Sequence, residues 1–343
     1  MSQVLSVIDS NLQLFQLLEN RLDEGGLVEA RRLFHGRGLC YPVFEFLTVD
    51  WFAPAMLFSF YKQPDESVLE LLIEDVEKWF EGGVTGVSTV VLQFRWAQPV
   101  KTIALGEALA SPHHVQENGL FYEVNLTANQ NVGLFLDARE VRHWVRKNAE
   151  DKNVLNLFAY TCSFSVAAIA GGANAVVNID MSRGALAIGK INHDLNVQKN
   201  NKENNDTSNK TQVSSRQIRN SQQSRNRKRA SFLSHNIFKS WGKLRKLGPY
   251  SLIIVDPPSY QPGSFVASKD YAKIVTRLSD LLQPGGLVVS VLNSPQVGFE
   301  FLRDMFRSYA PDLNEVEVLT TPRNFEELED SRGLKVIVFR RQS

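Results

Sequence analysis

Cysteine is nearly absent from this chain: Cys40 and Cys162 are the only two in 343 residues. So few, so far apart, argue against a disulfide framework and against a cysteine-built zinc site, and no metal is expected. A reducing, cytoplasmic setting follows. No apolar run approaches the roughly 20 residues needed to cross a bilayer. The N-terminal MSQVLSVIDSNLQLF lacks the basic start of a secretory signal, and no membrane association is expected. Excess charge is lacking too, since 38 Lys and Arg stand against 37 Asp and Glu. That balance hides an asymmetry. Residues 199–230 carry nine basic and two acidic residues, leaving the remaining chain with 29 and 35.

What is present fits an ordinary globular protein of two domains, with 43% hydrophobic and 22% charged residues. Val4, Leu5, Ile8, Leu12, Phe15, Leu17 and Leu18 approximate a helical period, and Leu27, Ala30 and Leu33 suggest a second helix, so residues 1–40 read as a helical segment. The pattern then changes. YPVFEFLTVDWF and AMLFSFY read as strands around Ala53 and Pro54, SVLELLIEDVEKWFEGG as an amphipathic helix and TVVLQFRW as another strand. Residues 121–126 and 132–136 bracket a turn at 129–131. Residues 41–127 therefore predict a small α+β domain, suited to recognising RNA or another substrate.

From 128 to 343 apolar strands alternate with helices. Strands are expected at 154–158, 175–179, 231–233, 251–255, 286–292, 316–320 and 334–339. This is the signature of an α/β fold with a doubly wound, mostly parallel, seven-stranded sheet. Such sheets bind ligands beyond the C-terminal ends of their strands. KNNKENNDTSNKTQVSSRQIRNSQQSRNRKR, within 199–230, has almost no apolar side chains and reads as a disordered insertion. Its arginines and lysines suit RNA phosphates, and they equally suit a solvated loop.

Three strand ends hold residues with chemical potential. NVLNLFAYTCSFSVAA ends its strand in small and hydroxyl residues and enters a helix at once, which suits a polar ligand at a helix N-terminus or an ordinary turn. It has no Gly-x-Gly-x-x-Gly, which argues against NAD or FAD. Asp180, closing the second strand, suits the two hydroxyls of a ribose; it equally suits the cap of the next helix, in competition with Ser182. LIIVDPPSY places Asp256, Pro257 and Tyr260 after the fourth strand, where rigid acceptors and a stacking ring meet a planar base, or where two prolines simply end the strand. The order of the three says more than any one.

VGLFLDAREVR at 132–142, NLFAYTCSFSVAAIAGGA at 156–173, VVNIDMSRGAL at 176–186, NHDLN at 192–196, LIIVDPPSYQPGSF at 252–265 and PGG at 284–286 resemble the class I, Rossmann-like S-adenosylmethionine (SAM)-dependent methyltransferases. Within that class they are similar to the bacterial 23S ribosomal RNA methyltransferases of the RlmI and RlmK/L type. RLFHGRGLCYPVFEFLTVDWF at 32–52 resembles the start of the small domain preceding the catalytic one in those enzymes. The resemblance implies SAM as cofactor. Phe158, Tyr160, Thr161, Ser163 and Phe164 would wrap its methionine part, Arg139 would pair with its carboxylate, and Asp180 would hold its ribose. Met181, Asn236 and Ile237 would face its adenine, with Asn236 where relatives carry an acid. Asp256 would border both cofactor and target.

The resemblance further implies ribosomal RNA as partner. The stretch VSVLNSPQVGF has no cysteine where the RlmI type carries its nucleophile, which argues against cytosine-C5 methylation. The expected reaction is methylation of a base nitrogen, guanine above all. Asp256 and Pro257 would orient that nitrogen, Tyr260 and Phe265 would stack on the base, and Asn293 would stand beside it. Two other functions fit the same residues: SAM-dependent methylation of a protein or small molecule, and a non-enzymatic RNA-binding protein with a degenerate SAM site.

Overall fold

The computed structural model describes residues 2–128, 131–206, 229–258, 260–261 and 265–343. The chain divides into two compact units, Met1–Asp137 with Pro322–Asp330, and Ala138–Thr321 with Ser331–Ser343. Among the described residues no helix is long and apolar enough to cross a membrane.

In the first unit, helix α1 (Ser2–Gly25) precedes a five-stranded sheet whose strands lie in chain order, from β1 (Arg31–His35) at one edge to β5 (Lys101–Gly106) at the other. Strands β2 (Leu47–Phe52), β3 (Ala55–Phe60) and β4 (Thr89–Phe94) are buried along their whole length, so they are mostly apolar on both faces, interrupted by buried Thr48, Asp50, Ser59, Thr89 and Gln93. Parallel pairing of β3 with β4 requires a crossover, which helix α2 (Glu66–Glu81) supplies. Leu14, Leu18, Leu22, Leu72 and Val76 of the two helices share one core with Phe34, Trp51, Phe58 and Phe60.

Three elements differ from the sequence expectation. The residues expected to start a second helix include β1 (Arg31–His35), antiparallel to β2. The spacing of Leu27, Ala30 and Leu33 is too short a window to separate helix from strand, and pairing with β2 decides it. Strand β5 (Lys101–Gly106) went unread because as an edge strand it leaves most side chains exposed. Residues 132–136 form no strand. Gly133 sits at φ +111, and Leu136–Ala138 turn into a 3-10 helix. The hairpin lies upstream instead, β6 (His113–Glu117) against β7 (Leu120–Val124). Its turn is Asn118-Gly119, both at positive φ, the geometry that Asn-Gly favours between strands.

The second unit carries a seven-stranded sheet in the order β10-β9-β8-β11-β14-β16-β15. These are β8 (Asn153–Leu157), β9 (Ala175–Asp180), β10 (Ala230–Ser234), β11 (Tyr250–Val255), β14 (Leu282–Leu292), β15 (Leu313–Leu319) and β16 (Lys335–Arg341). Only β16 runs antiparallel to its neighbours. The order reverses between β8 and β11, which creates the crevice where such sheets bind ligands. Apolar clusters cover both faces, one around Ile253, Tyr271 and Leu278, the other around Val141, Val154 and Ala168.

Helix α4 (Ser163–Ala170) follows β8, and α5 (Arg183–Asp206) follows β9. Helix α5 continues into the segment expected to be disordered, since residues 197–206 contain neither the Gly nor the Pro that would stop it. Residues 207–228, the bulk of that basic insertion, lie outside the described residues.

Candidate functional site

Register places the site. Leu157 pairs with Ile179 on one side and with Val255 on the other. Phe158, Asp180 and Asp256 are therefore the next residues of three adjacent strands and reach the same sheet edge at one level. Asp180 and Asp256 stand two strands apart, about 10 Å by strand spacing. Val255 also pairs with Ser290, so the end of β14 brings Asn293, exposed, to the same edge.

The turn from β8 into α4 has a conformation that its side chains do not advertise. Phe158 (φ 55), Tyr160 (φ 46) and Cys162 (φ 61) all take left-handed backbone angles. For residues with a Cβ each such angle costs about 1–2 kcal/mol, and such angles persist only where surrounding contacts over-determine them. Those contacts are visible. The Tyr160 N–H donates to Asp180 Oδ2 at 2.9 Å, the Ala159 N–H to the Ile179 carbonyl at 3.1 Å, and the Cys162 N–H to the Ala159 carbonyl at 2.7 Å.

From the other side, Asn192 Nδ2 donates to the Thr161 carbonyl at 2.9 Å. Gly189 of α5 lies so close that a Cβ there would sit 2.5 Å from Cys162 Sγ. Cys162 is fully buried; burial first, then the Asp180 charge, pushes its thiol well above the ordinary range. That thiol packs the turn and is no nucleophile.

Asp180 also accepts the Ser182 N–H at Oδ1, 2.8 Å. The cap of α5 belongs to Ser182, whose Oγ accepts the Ala185 N–H at 3.1 Å. Asp180 is thus relieved of capping. Each of its oxygens holds one backbone N–H and keeps acceptor capacity for a ligand hydroxyl. Burial, then the Asp180 charge, raises the Tyr160 phenol. Met181 is 44% exposed beside it, an apolar surface open to a planar group.

The remaining candidates divide. His235 N–H donates to the Asp180 carbonyl at 3.1 Å, which brings Asn236 to the Asp180 loop. Asn236 Oδ1 accepts the Phe238 N–H at 2.9 Å, so this side chain builds its own turn and, as an acceptor, has only the second lone pair to offer a ligand. Ile237 is buried. Ser163 and Phe164 open α4, with Phe164 buried and the Arg142 guanidinium 6.0 Å from its ring. Arg139 opens helix α3 (Arg139–Asn148), half-buried.

Pro257 is buried behind half-buried Asp256, and the buried Tyr271 hydroxyl, bonded to Ser290 Oγ at 2.5 Å, feels the Asp256 charge. Phe265 departs from expectation. It is 2% exposed, edge-on to Phe158 at 5.3 Å and stacked with Phe238 at 6.4 Å, and so unavailable to a target base. It contributes instead to holding the turn. The short strands β12 (Tyr260–Gln261) and β13 (Phe265–Val266) pair, with Tyr260 opposite Val266; the Tyr260 side chain, like Ser259, lies outside the described residues. Among the described residues no group of His, Cys, Asp and Glu forms a metal site.

One polar chain was not singled out from sequence. Asn156 Nδ2 donates to Asn178 Oδ1 (3.0 Å), Asn178 Nδ2 to Ser165 Oγ (2.9 Å), and Ser165 Oγ meets His193 Nε2 at 2.9 Å. It ties β8, β9, α4 and α5 together behind the turn. Polar residues inside apolar strands, N156 and N178, were its only signal. Burial pulls His193 down to about 4, with Asp194 opposing.

The profile of the S-adenosylmethionine-dependent methyltransferases matches residues 31–205 and 211–340. A ribosomal RNA large subunit methyltransferase K/L of Psychrobacter sp. is 30% identical over 57% of this chain and 21% of its own length. A ribosomal RNA large subunit methyltransferase I of Aeromonas salmonicida is 27% identical over 71% of this chain and 56% of its own. The chain thus spans between a fifth and just over half of those relatives. Among solved structures, SMU.776 complexed with SAH superposes with a TM-score of 0.78 at 23% identity, over 97% of this chain and 81% of that one. The tRNA m1G37 methyltransferase of M. jannaschii gives 0.56 at 14% identity, over 88% and 77%. At such identities the structures share the fold.

Two outcomes test the packing behind the turn. Gly189→Ala is expected to lower unfolding free energy by about 1–3 kcal/mol despite the better helix propensity of Ala, and Cys162→Ala in the same chain should recover most of the loss, read by urea denaturation. His193 stays neutral in the fold down to about pH 4, whereas the unfolded chain takes up a proton near 6.5. Stability should therefore fall as pH drops from 6.5 to 4, by at most about 3 kcal/mol, and His193→Gln should flatten that slope.

Proposed function

The chain belongs to the S-adenosylmethionine-dependent methyltransferase family, and from that premise we propose that it methylates a base nitrogen, guanine above all, of ribosomal RNA in the cytoplasm. The observation that carries this reading is the placement of Asp256, Pro257 and Pro258 at the end of the strand beside the turn 158–162, at one level with Asp180.

The residues at that edge fit SAM. Asp180 retains acceptor capacity on both carboxylate oxygens for a ribose, and Met181 lies exposed beside it for the adenine. Phe158, Tyr160 and Ser163 line the methionine end, with buried Thr161 and Phe164 shaping that turn; Arg139 takes the carboxylate, and Asn236, backed by buried Ile237, borders the adenine. Bound there, SAM supplies an electrophilic methyl group on its sulfonium.

The protein's part is positioning. The target base is flipped from its stack into the crevice. The Asp256 carboxylate accepts a hydrogen bond from the nitrogen to be methylated and takes the proton that nitrogen sheds. The Pro257 carbonyl accepts a second N–H, and the two prolines keep both acceptors fixed. Tyr260 stacks on the base and Asn293 flanks it. Cysteine chemistry has no place in this scheme, because Cys162 is buried behind the turn with its thiol held protonated. The names of the relatives point to large-subunit ribosomal RNA as the substrate class. The unit Met1–Asp137 with Pro322–Asp330 would supply RNA recognition.

Thermal-shift titration with SAM should show a saturable rise in melting temperature. No shift at millimolar SAM would remove the enzyme reading altogether. Asp180→Asn should weaken binding about 10- to 100-fold, the range expected for losing a charged hydrogen-bond acceptor. Ribosomal RNA from cells lacking the protein should be missing one methylated nucleoside by mass spectrometry. Purified protein plus SAM should restore it, and Asp256→Ala should bind SAM yet fail to restore it.

A further inference from the structure

Residues 1–137 hold five arginines and three lysines among 18 carboxylates. In so acidic a stretch an arginine finds a carboxylate easily, and three of the five are tied into the fold, although the Nε–H of Arg31 is buried without an acceptor. Arg21 pairs with Glu326 at 2.6 Å and donates to the Leu33 carbonyl. Arg31 donates to the carbonyls of Glu29, Arg21 and Leu22. Arg32 holds Asp50 through Nε (2.5 Å) and Nη2 (3.1 Å).

Arg37 and Arg95 are different. Neither has a carboxylate within ion-pair distance among the described residues; both lie on one ring, Tyr61, at 4.0 and 4.4 Å from its centroid. Arg95 Nη1 donates to the Tyr61 hydroxyl at 2.9 Å and Nη2 to Asn131 Oδ1 at 3.4 Å, and its Nε–H is buried with no acceptor. Burial and the charges of Arg37 and Arg32 pull Arg95 below its ordinary value, against Tyr61 and Asp50. Phe60 pairs with Phe94, so Tyr61 and Arg95 leave adjacent parallel strands together, and the 3-10 turn Gly36–Gly38 carries exposed Arg37 to them.

A cation–π clamp that only braced these loops would need one arginine. A second guanidinium on the same ring adds repulsion that the Asp50 carboxylate, already held by Arg32, offsets only in part. The donors that remain on the two guanidiniums, backed by an aromatic ring and with no carboxylate in ion-pair distance among the described residues, match the oxygens of a phosphodiester, the anion that the ribosomal RNA reading supplies.

We propose that Arg37, Tyr61 and Arg95 form a phosphate-binding site that grips the backbone of the RNA substrate. This rests on the ribosomal RNA reading above. The surrounding carboxylates repel the rest of the backbone, so the site is a local anchor of one or two phosphates and not part of a broad basic face.

The test uses the full chain and deproteinised large-subunit ribosomal RNA from cells lacking the protein, titrated across KCl concentrations. Arg37→Gln touches an exposed residue and should keep the fold and the SAM-induced thermal shift. It should weaken RNA binding about tenfold and reduce the slope of log affinity against log salt by about 0.7–0.9, the loss of one phosphate contact. Arg37→Lys should keep the slope and recover part of the affinity. Arg37→Gln combined with Arg95→Gln should lower affinity further, with KM for RNA rising more than kcat falls.

Unchanged affinity and slope in folded Arg37→Gln would overturn the proposal. So would a variant that loses binding to polyglutamate but not to RNA. If wild-type protein methylates the RNA and Arg37→Gln does so with the same KM, this inference alone falls. If wild-type protein neither binds nor methylates it, the function reading falls as well.

Discussion

The Asp180 carboxylate is the contact on which the candidate site depends. It receives the N–H of Tyr160 across from β8 and the N–H of Ser182 from its own loop. Hydrogen bonds to a charged acceptor contribute roughly 1.5–3 kcal/mol each, enough to offset much of the left-handed backbone at Phe158, Tyr160 and Cys162. Remove the carboxylate and the turn loses the tie that sets its shape, before any ligand is considered. One side chain thus couples backbone strain to ligand recognition.

Everything else at the turn is arranged to keep that shape. Gly189 lets α5 approach Cys162 closely, Asn192 takes the Thr161 carbonyl, and Phe265 closes the outer side between Phe158 and Phe238. The chain Asn156–Asn178–Ser165–His193 fixes the strands and helices behind it. Rigid support of this kind is what a reaction driven by positioning requires, because an error of an ångström between nucleophile and methyl group costs orders of magnitude in rate.

The two units place their arginines differently. In the first, Arg21 and Arg32 pair with Glu326 and Asp50, while Arg37 and Arg95 lie on one tyrosine ring with no carboxylate in ion-pair distance among the described residues. In the second, Arg303 bridges Glu300 and Glu315 on the surface, an ordinary exposed network worth little on its own. The contrast sets the Tyr61 cluster apart, since two guanidiniums there share one ring and not a carboxylate.

By itself the sequence determined the alternation of strands and helices after residue 150, because buried parallel strands must be short apolar runs and their helices must bracket them. It also determined that Asp180 and Asp256 end strands, since each follows such a run directly. Tertiary structure decided what periodicity does not encode. β1 is a strand because β2 pairs with it, and β5 is one although its exposed side chains carry no pattern. The turn 158–162 takes left-handed angles without glycine because its neighbours force it, so the missing glycines spoke to the ligand and not to the backbone. Phe265 is a core residue and not a platform for a base, and Arg37 and Arg95, 58 positions apart, meet only because β3 and β4 run parallel beside the turn after β1. Periodicity records which face of an element is buried; which residues share that burial is fixed only when the elements pack.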